Sequence, residues 1–169
     1  MIEVLRLNNR IGRDPRISTH VALTARAFGV SRIYYSGDKD SSLEESINKV
    51  TKKFGGSFEI EYTKDDVKLV KEKKNKGFLI AHLTMYGKDF RKYKNKLKNK
   101  KLLIIVGGEK VEPEFYKISD YNLSTTNQPI SEVSALGVFL YEIHGYHNKF
   151  KNAKLVIVGK ERGKLIKKI

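Results

Sequence analysis

Residues 102–111 read LLIIVGGEKV, five apolar residues running directly into two glycines. A strand with one wet face alternates apolar and polar side chains. LLIIV does not alternate, which predicts a central parallel strand covered on both faces. Gly107 and Gly108 have no Cβ, so the loop after that strand lets backbone N–H and C=O groups approach a flat ligand closely. In open parallel sheets, ligands bind outside the carboxyl ends of the strands. Two further loops have the same placement. FLIAHLT (78–84) runs into Met85, Tyr86 and Gly87, and the strand at 121–124 runs into TTNQPISE (125–132).

Outward from these, strand and helix patterns alternate along the chain. Residues 2–7 (IEVLRL) and 32–35 read as strands. Between them Ser18 is expected to cap a helix through Gly29, with Val21, Ala25 and Phe28 on one face. Leu43, Ile47, Val50 and Phe54 recur at helical spacing. Ser41 and Glu44 suit a capping box, and Gly55 a stop. A strand is expected at 58–62, then a Lys-rich helix from Thr63 to near Gly77. Phe90, Tyr93 and Leu97 mark a basic amphipathic helix, and 111–119 reads as a turn-rich segment. Ser131 opens the longest helix, with Val133, Leu136, Leu140 and Ile143 inward. A last strand at 155–158 precedes a basic tail. This alternation predicts an α/β fold, a parallel sheet flanked by helices. No linker or repeat divides it. One domain is expected over 1–169, with a short basic extension from about residue 151.

Composition narrows the function classes. With 40% hydrophobic and 31% charged residues the chain is globular rather than disordered. No apolar run reaches the roughly 18 residues of a membrane span, and the first residues carry no export signal, so a cytoplasmic protein is expected. There is no cysteine, which removes disulfides and thiolate chemistry. Lys and Arg exceed Asp and Glu by 34 − 19 = +15. Such a chain attracts polyanions, and RNA or DNA is the leading partner. Residues 91–101 (RKYKNKLKNKK) hold seven of those cations, and the tail adds Lys160, Arg162, Lys164, Lys167 and Lys168. Both stretches suit phosphate tracking, or equally a solvated face. GxGxxG and GxxxxGK[ST] are both missing, against a dinucleotide or P-loop site. His144 and His147 stand three apart, but nothing in the sequence completes a metal site. Tyr141, Tyr146 and Phe150 lie at helical spacing and read as packing residues.

Four segments, in this order and spacing, carry a resemblance: RDPRISTHVALTARAFG (13–29), HLTMYG (82–87), IIVGGEKV (104–111) and TTNQPISEVSALGVFLYE (125–142). Together they resemble the archaeal tRNA (cytidine(56)-2'-O)-methyltransferase family of the SPOUT superfamily, over nearly the whole chain. The resemblance implies a sheet whose C-terminal part is threaded as a trefoil knot, a homodimer packed through the helix from Ser131, and a tRNA substrate. It also implies S-adenosyl-L-methionine held largely by backbone groups. Carried over position by position, the cofactor residues are Leu83; Gly107, Gly108, Glu109, Lys110 and Val111; and Thr125, Thr126, Asn127, Gln128, Pro129, Ile130, Ser131 and Glu132.

The catalytic residues are less direct. Ribose-methylating SPOUT enzymes carry an Asn and an Arg six residues apart in the first helix region. Here those positions are Ile17 and Leu23. Arg16, Arg26 and Arg13 are the nearby replacements, with Arg16 favoured because Asp14-Pro15-Arg16 forms a loop before the helix. Thr19 and His20 are further candidates. Arginine is too basic to take the proton of a ribose hydroxyl, but it binds phosphate and stabilises charge beside it. Glu109 suits a cofactor ribose or a lysine ion pair, and Ser131 suits a helix cap or a donor to the ligand. Two other readings stay open: a SPOUT enzyme acting on another tRNA or rRNA nucleotide, and a basic RNA-binding module without catalysis.

Overall fold

A computed structural model describes residues 1–13, 16–107 and 110–169. Six strands form one sheet: β1 (Ile2–Asn9), β2 (Arg32–Gly37), β3 (Glu59–Tyr62), β4 (Leu79–Asp89), β5 (Leu102–Val106) and β6 (Tyr121–Ser124). Their order is β3-β2-β1-β5-β4-β6, and every pairing is parallel. As its pattern predicts, β5 lies inside the sheet and all five of its residues are buried. The helices are α1 (Ile17–Ala27), α2 (Ser41–Phe54), α3 (Asp66–Asn75), α4 (Lys94–Leu97), α5 (Pro113–Ile118) and α6 (Glu132–His144). A two-stranded antiparallel hairpin, β7 (Leu155–Val158) with β8 (Leu165–Lys168), follows. The basic tail is therefore partly a strand.

The sheet divides the core in two. On one face Val4, Ala81, Leu83, Ile104 and Val106 pack with α1, α2 and α6 through Val21, Ala25, Ile47, Leu136 and Leu140. On the other, Leu5, Leu7, Ile80, Leu103 and Ile105 meet Val70 of α3 and Phe115 of α5. Each fully buried aliphatic contributes about 1.5–3 kcal/mol, so this double-sided layer fixes where the strand ends lie.

Several helix starts differ from expectation. Asp40, not Ser41, caps α2, and Asp65, not Thr63, caps α3; each carboxylate accepts from backbone N–H groups of its first turn. Arg16 precedes α1 without a side-chain cap, while Ser18 is buried inside the helix and donates to Asn9 Oδ1 at 2.6 Å. Residues 90–97 are a 3-10 turn followed by one α-turn. The turn-rich segment contains α5, which starts at Pro113, where proline's fixed φ suits a first turn. Ser131 caps α6 as expected, its hydroxyl accepting from Val133 N at 3.2 Å.

One irregularity shapes the site. Leu83 of β4 pairs with Leu123 of β6, and Lys88 pairs with the same Leu123. Residues 84–87 therefore bulge out of the ladder as a lip. Gly87 anchors its far end, so close to β6 that a Cβ there would lie 2.5 Å from the backbone N and C of Leu123.

Candidate active site

The lip, the loop after β5 and the segment between β6 and α6 surround a cavity of about 250 Å³ at the carboxyl ends of β4, β5 and β6. Eight of the residues expected to hold a cofactor line it: Leu83, Gly107, Val111, Thr125, Thr126, Pro129, Ile130 and Glu132. Gly108 and Glu109 lie outside the described residues. Asn127 supports the wall: its Nδ2 donates to Met85 O at 2.6 Å and Gly87 O at 3.1 Å, holding the lip against the β6–α6 segment. Gln128 donates its backbone N–H to Thr126 Oγ1, and Ser131 is occupied as the α6 cap.

The cavity also takes in His82, Thr84, Met85, Tyr86, Tyr116 and Ala135, none of them among the expected site residues. His82 through Tyr86 belong to a strand end that the sequence marked, but only Leu83 was carried over. Tyr116 comes from α5, whose segment reads as turns. Its hydroxyl lies 3.1 Å from Thr84 Oγ1, and its ring stands edge-on to His82 at 4.6 Å. Burial holds the His82 imidazole below its ordinary pKa despite a hydrogen bond to Asn122.

A second cavity, about 400 Å³, opens at the carboxyl ends of β1 and β2 and is lined by Asn8, Asn9, Arg10, Arg13, Gly37, Asp38 and Lys110. The two cavities share one loop: Lys110 faces the second and Val111 the first. Thus Lys110 stands with Arg10 and Arg13 rather than in the first cavity. Between the cavities, Arg6 of β1, 2% exposed, forms an ion pair with Glu132 at the start of α6, at 3.0 Å.

The three candidate arginines part company. Arg13 lines the second cavity; Arg16 is exposed at the start of α1, outside both cavities. Arg26 is buried in the last turn of α1. It donates to Gly55 O at 2.5 Å, and its guanidinium lies over the Phe150 ring at 4.9 Å. Burial lowers its pKa. Because α1 returns antiparallel to the strands, its last turn reaches their amino ends, and Arg26 is a packing residue away from both cavities. Thr19 and His20, in the first turn, line neither. The stretch 91–101 is split likewise: Arg91 pairs with Asp89 at the carboxyl end of β4, while Lys101 meets the amino end, its carbonyl accepting from Leu79 N. Among the described residues no group of three metal ligands is found, and no helix is long and apolar enough to cross a membrane.

A family model described as tRNA ribose 2'-O-methyltransferase, aTrm56, matches residues 54–167, which include every described residue lining the first cavity. The chain belongs to the aTrm56 family. A tRNA (cytidine(56)-2'-O)-methyltransferase from Thermococcus kodakarensis is 48% identical over 98% of this chain and 96% of its own length. One from Methanosphaera stadtmanae is 51% identical over 83% and 82%. Among solved structures, a TrmH/SpoU tRNA modifying enzyme of A. aeolicus superposes with a TM-score of 0.64 at 25% identity, covering 85% of this chain and 73% of that one. The SpoU methyltransferase AviRb from Streptomyces viridochromogenes, in complex with AdoMet, gives 0.60 at 15% identity over 85% and 56%, a likeness of fold. The six-stranded sheet of this aTrm56 member is thus the SPOUT sheet.

The first cavity suits the cofactor of these enzymes on its own chemistry. Leu83, Val111, Pro129, Ile130 and Ala135 offer apolar walls to a flat base. At Gly107 a Cβ would fall 2.2 Å from Val111 Cγ2, so a side chain there would have to push Val111 out of its place on the cavity wall. His82, a lining residue, keeps its Nε2 buried and without a hydrogen-bond partner among the described residues.

Proposed function

We propose that this protein transfers a methyl group from S-adenosyl-L-methionine to the 2'-hydroxyl of cytidine 56 of tRNA. The observation that carries the reading is the pair of cavities on either side of the 107–111 loop, one apolar with glycine-sized walls, the other basic. When bound, the cofactor supplies an electrophilic methyl on a sulfonium. The protein's share is positioning: the first cavity holds the cofactor through residues 83, 107, 111 and 125–132, while Arg10, Arg13 and Lys110 hold the tRNA backbone beside it.

A ribose hydroxyl is a weak acid, so the site must favour the developing alkoxide. We assign that work to Arg13, on the wall of the basic cavity, ahead of Arg16. Trefoil threading of the β5–α6 region, a single catalytic unit over the whole chain with the hairpin as its extension, and a cytoplasmic location belong to the same reading.

The test is methyl transfer from labelled S-adenosyl-L-methionine to an unmodified tRNA transcript, with nucleoside mapping. 2'-O-methylcytidine at position 56 is expected. Label elsewhere would discard this target, and failure of the wild-type protein to bind any S-adenosyl ligand would discard the reading. Arg13→Ala is expected to cut turnover by at least roughly 100-fold, as for loss of a charge-stabilising donor, with cofactor affinity unchanged.

We also propose a homodimer through α6. One face of that helix is core, through Leu136, Phe139, Leu140 and Ile143, yet Val138 and Tyr141 stand exposed on the other. Tyr141 stacks on exposed Tyr146 and meets Phe28 edge-on, which makes a continuous aromatic patch. Such an exposed apolar patch marks an association surface. Sedimentation equilibrium should return twice the chain mass; a monomer at micromolar concentration would refute the assignment.

A further inference from the structure

His82 is fully buried in β4, paired with Ile105 on one side and Asn122 on the other. Its tautomer follows from its neighbours. Asn122 Nδ2 donates to the carbonyl of Tyr116 at 2.8 Å, which turns Oδ1 toward His82 Nδ1 at 2.9 Å. The reverse amide orientation would set two carbonyl oxygens against each other. Oδ1 only accepts, so Nδ1 carries the proton. In a neutral imidazole that leaves Nε2 as a bare acceptor. Nothing among the described residues hydrogen-bonds to it, and the nearby Tyr116 hydroxyl is engaged with Thr84 Oγ1. A buried acceptor without a donor is costly, and native structures rarely keep one without a use. This one belongs to a residue lining the first cavity.

We propose that His82 Nε2 accepts a hydrogen bond from an N–H group of the bound cofactor and so selects ligands that carry that donor. The inference rests on the cofactor reading of the first cavity. Burial keeps the ring neutral and hence accepting. S-adenosyl ligands offer two such donors: the 6-amino group of the base and the α-ammonium of the amino-acid arm. Asn122 and Tyr116 act behind His82 as positioning residues, one fixing its tautomer and the other its ring plane.

The experiment is calorimetric binding to wild type and His82→Phe of three ligands: S-adenosylhomocysteine, its 6-oxo (inosine) analogue, and 5'-methylthioadenosine, which lacks the amino-acid arm. The variant should bind S-adenosylhomocysteine roughly 10-fold more weakly, as for one hydrogen bond lost in a buried site. If the donor is the 6-amino group, that loss persists with methylthioadenosine and vanishes with the 6-oxo analogue. If it is the ammonium, the two results exchange. Either pattern supports the proposal and names the donor. An equal loss for all three ligands would show a packing role and overturn it, as would no loss at all. Failure of the wild type to bind any of the three would instead overturn the cofactor reading.

Should His82→Phe not fold, Asn122→Asp gives an independent measurement. A carboxylate facing Nδ1–H raises the imidazole pKa, and the protonated ring donates at Nε2 instead of accepting. Affinity for the donor-bearing ligand should then fall at higher pH than in wild type, as pH drops through the raised pKa. Tyr86, Tyr116 and Glu132, the other titratable groups among the described residues lining the cavity, are the same in both proteins. Coincident pH profiles would overturn the proposal.

Discussion

Replacing Glu132 with leucine is expected to destabilise the ligand-free protein by about 3 kcal/mol, the low end of what breaking a buried ion pair costs. The lower figure is chosen because Glu132 is 20% exposed while Arg6 is 2% exposed. Removing the carboxylate leaves the Arg6 guanidinium without this counter-charge in a layer that water barely reaches. Arg6 lies between Tyr35 and Val106 in the sheet, and Glu132 opens α6, so the pair ties the carboxyl end of β1 to the helix that closes the first cavity. For a chain of this size, about 3 kcal/mol lowers the unfolding midpoint by roughly 6–12 °C. The double variant Arg6→Leu/Glu132→Leu should recover much of the loss, because apolar residues of similar volume often replace a buried pair at little cost. Thermal unfolding without ligand checks this and keeps the effect apart from any cofactor contact of Glu132. A single variant that melts with wild type, or a double variant no better than the sum of the singles, would show that the pair is not the tie between β1 and α6.

This pair also marks the limit of what the sequence discloses. Arg6 sits in IEVLRL, where alternation predicts a strand but says nothing of a cation turned inward. Its partner lies more than a hundred residues away, and only the strand order brings them together. The parts that were legible are those written locally. Unbroken LLIIV meant burial on both faces; Ser131 before an apolar stripe meant a helix start; glycines and polar residues after strands meant loops, and the described residues of those loops meet around one cavity. One misread cap fell a residue late, at Ser41, and the other two residues early, at Thr63, because Asp40 and Asp65 offer stronger acceptors than those hydroxyl residues. Arg26 was misjudged for another reason. Spacing from Leu23 places it near that residue along a helix but not at one end of the sheet, and α1 carries it to the amino ends. Tyr116 was missed because α5 has six residues, too short for a helical period to show. The second cavity was hidden altogether: Arg10, Asp38 and Lys110 come from three loops that converge only once the sheet is ordered β2-β1-β5.

A valine at Gly87 should damage the site more than any single change on the cavity wall. The backbone of Leu123 lies 2.5 Å from where a Cβ would stand, and main-chain atoms of a paired strand cannot swing aside as a side-chain tip can. Either β6 shifts away from β4 or the lip at 84–87 is pushed outward. Overpacking of this kind costs about 1–3 kcal/mol, and here the strain has a direction. Thr84, Met85 and Tyr86 all line the cavity, and Asn127 grips the carbonyls of Met85 and Gly87. Moving Gly87 therefore loosens both ends of that clamp and disturbs Leu83 and Leu123 behind it. Cofactor affinity is expected to fall by well over tenfold, since the loss of two clamp hydrogen bonds, about 1 kcal/mol each, adds to the misplaced wall. Asn127→Ala, which removes the clamp without a clash, should lose affinity by a smaller factor and leave the melting temperature nearly unchanged. Calorimetry with S-adenosylhomocysteine on both variants, beside their unfolding curves, measures the two effects separately. If Gly87→Val binds as tightly as wild type, the lip is not part of the cofactor wall. If Asn127→Ala loses as much as Gly87→Val, the clamp rather than the close approach to β6 sets its position.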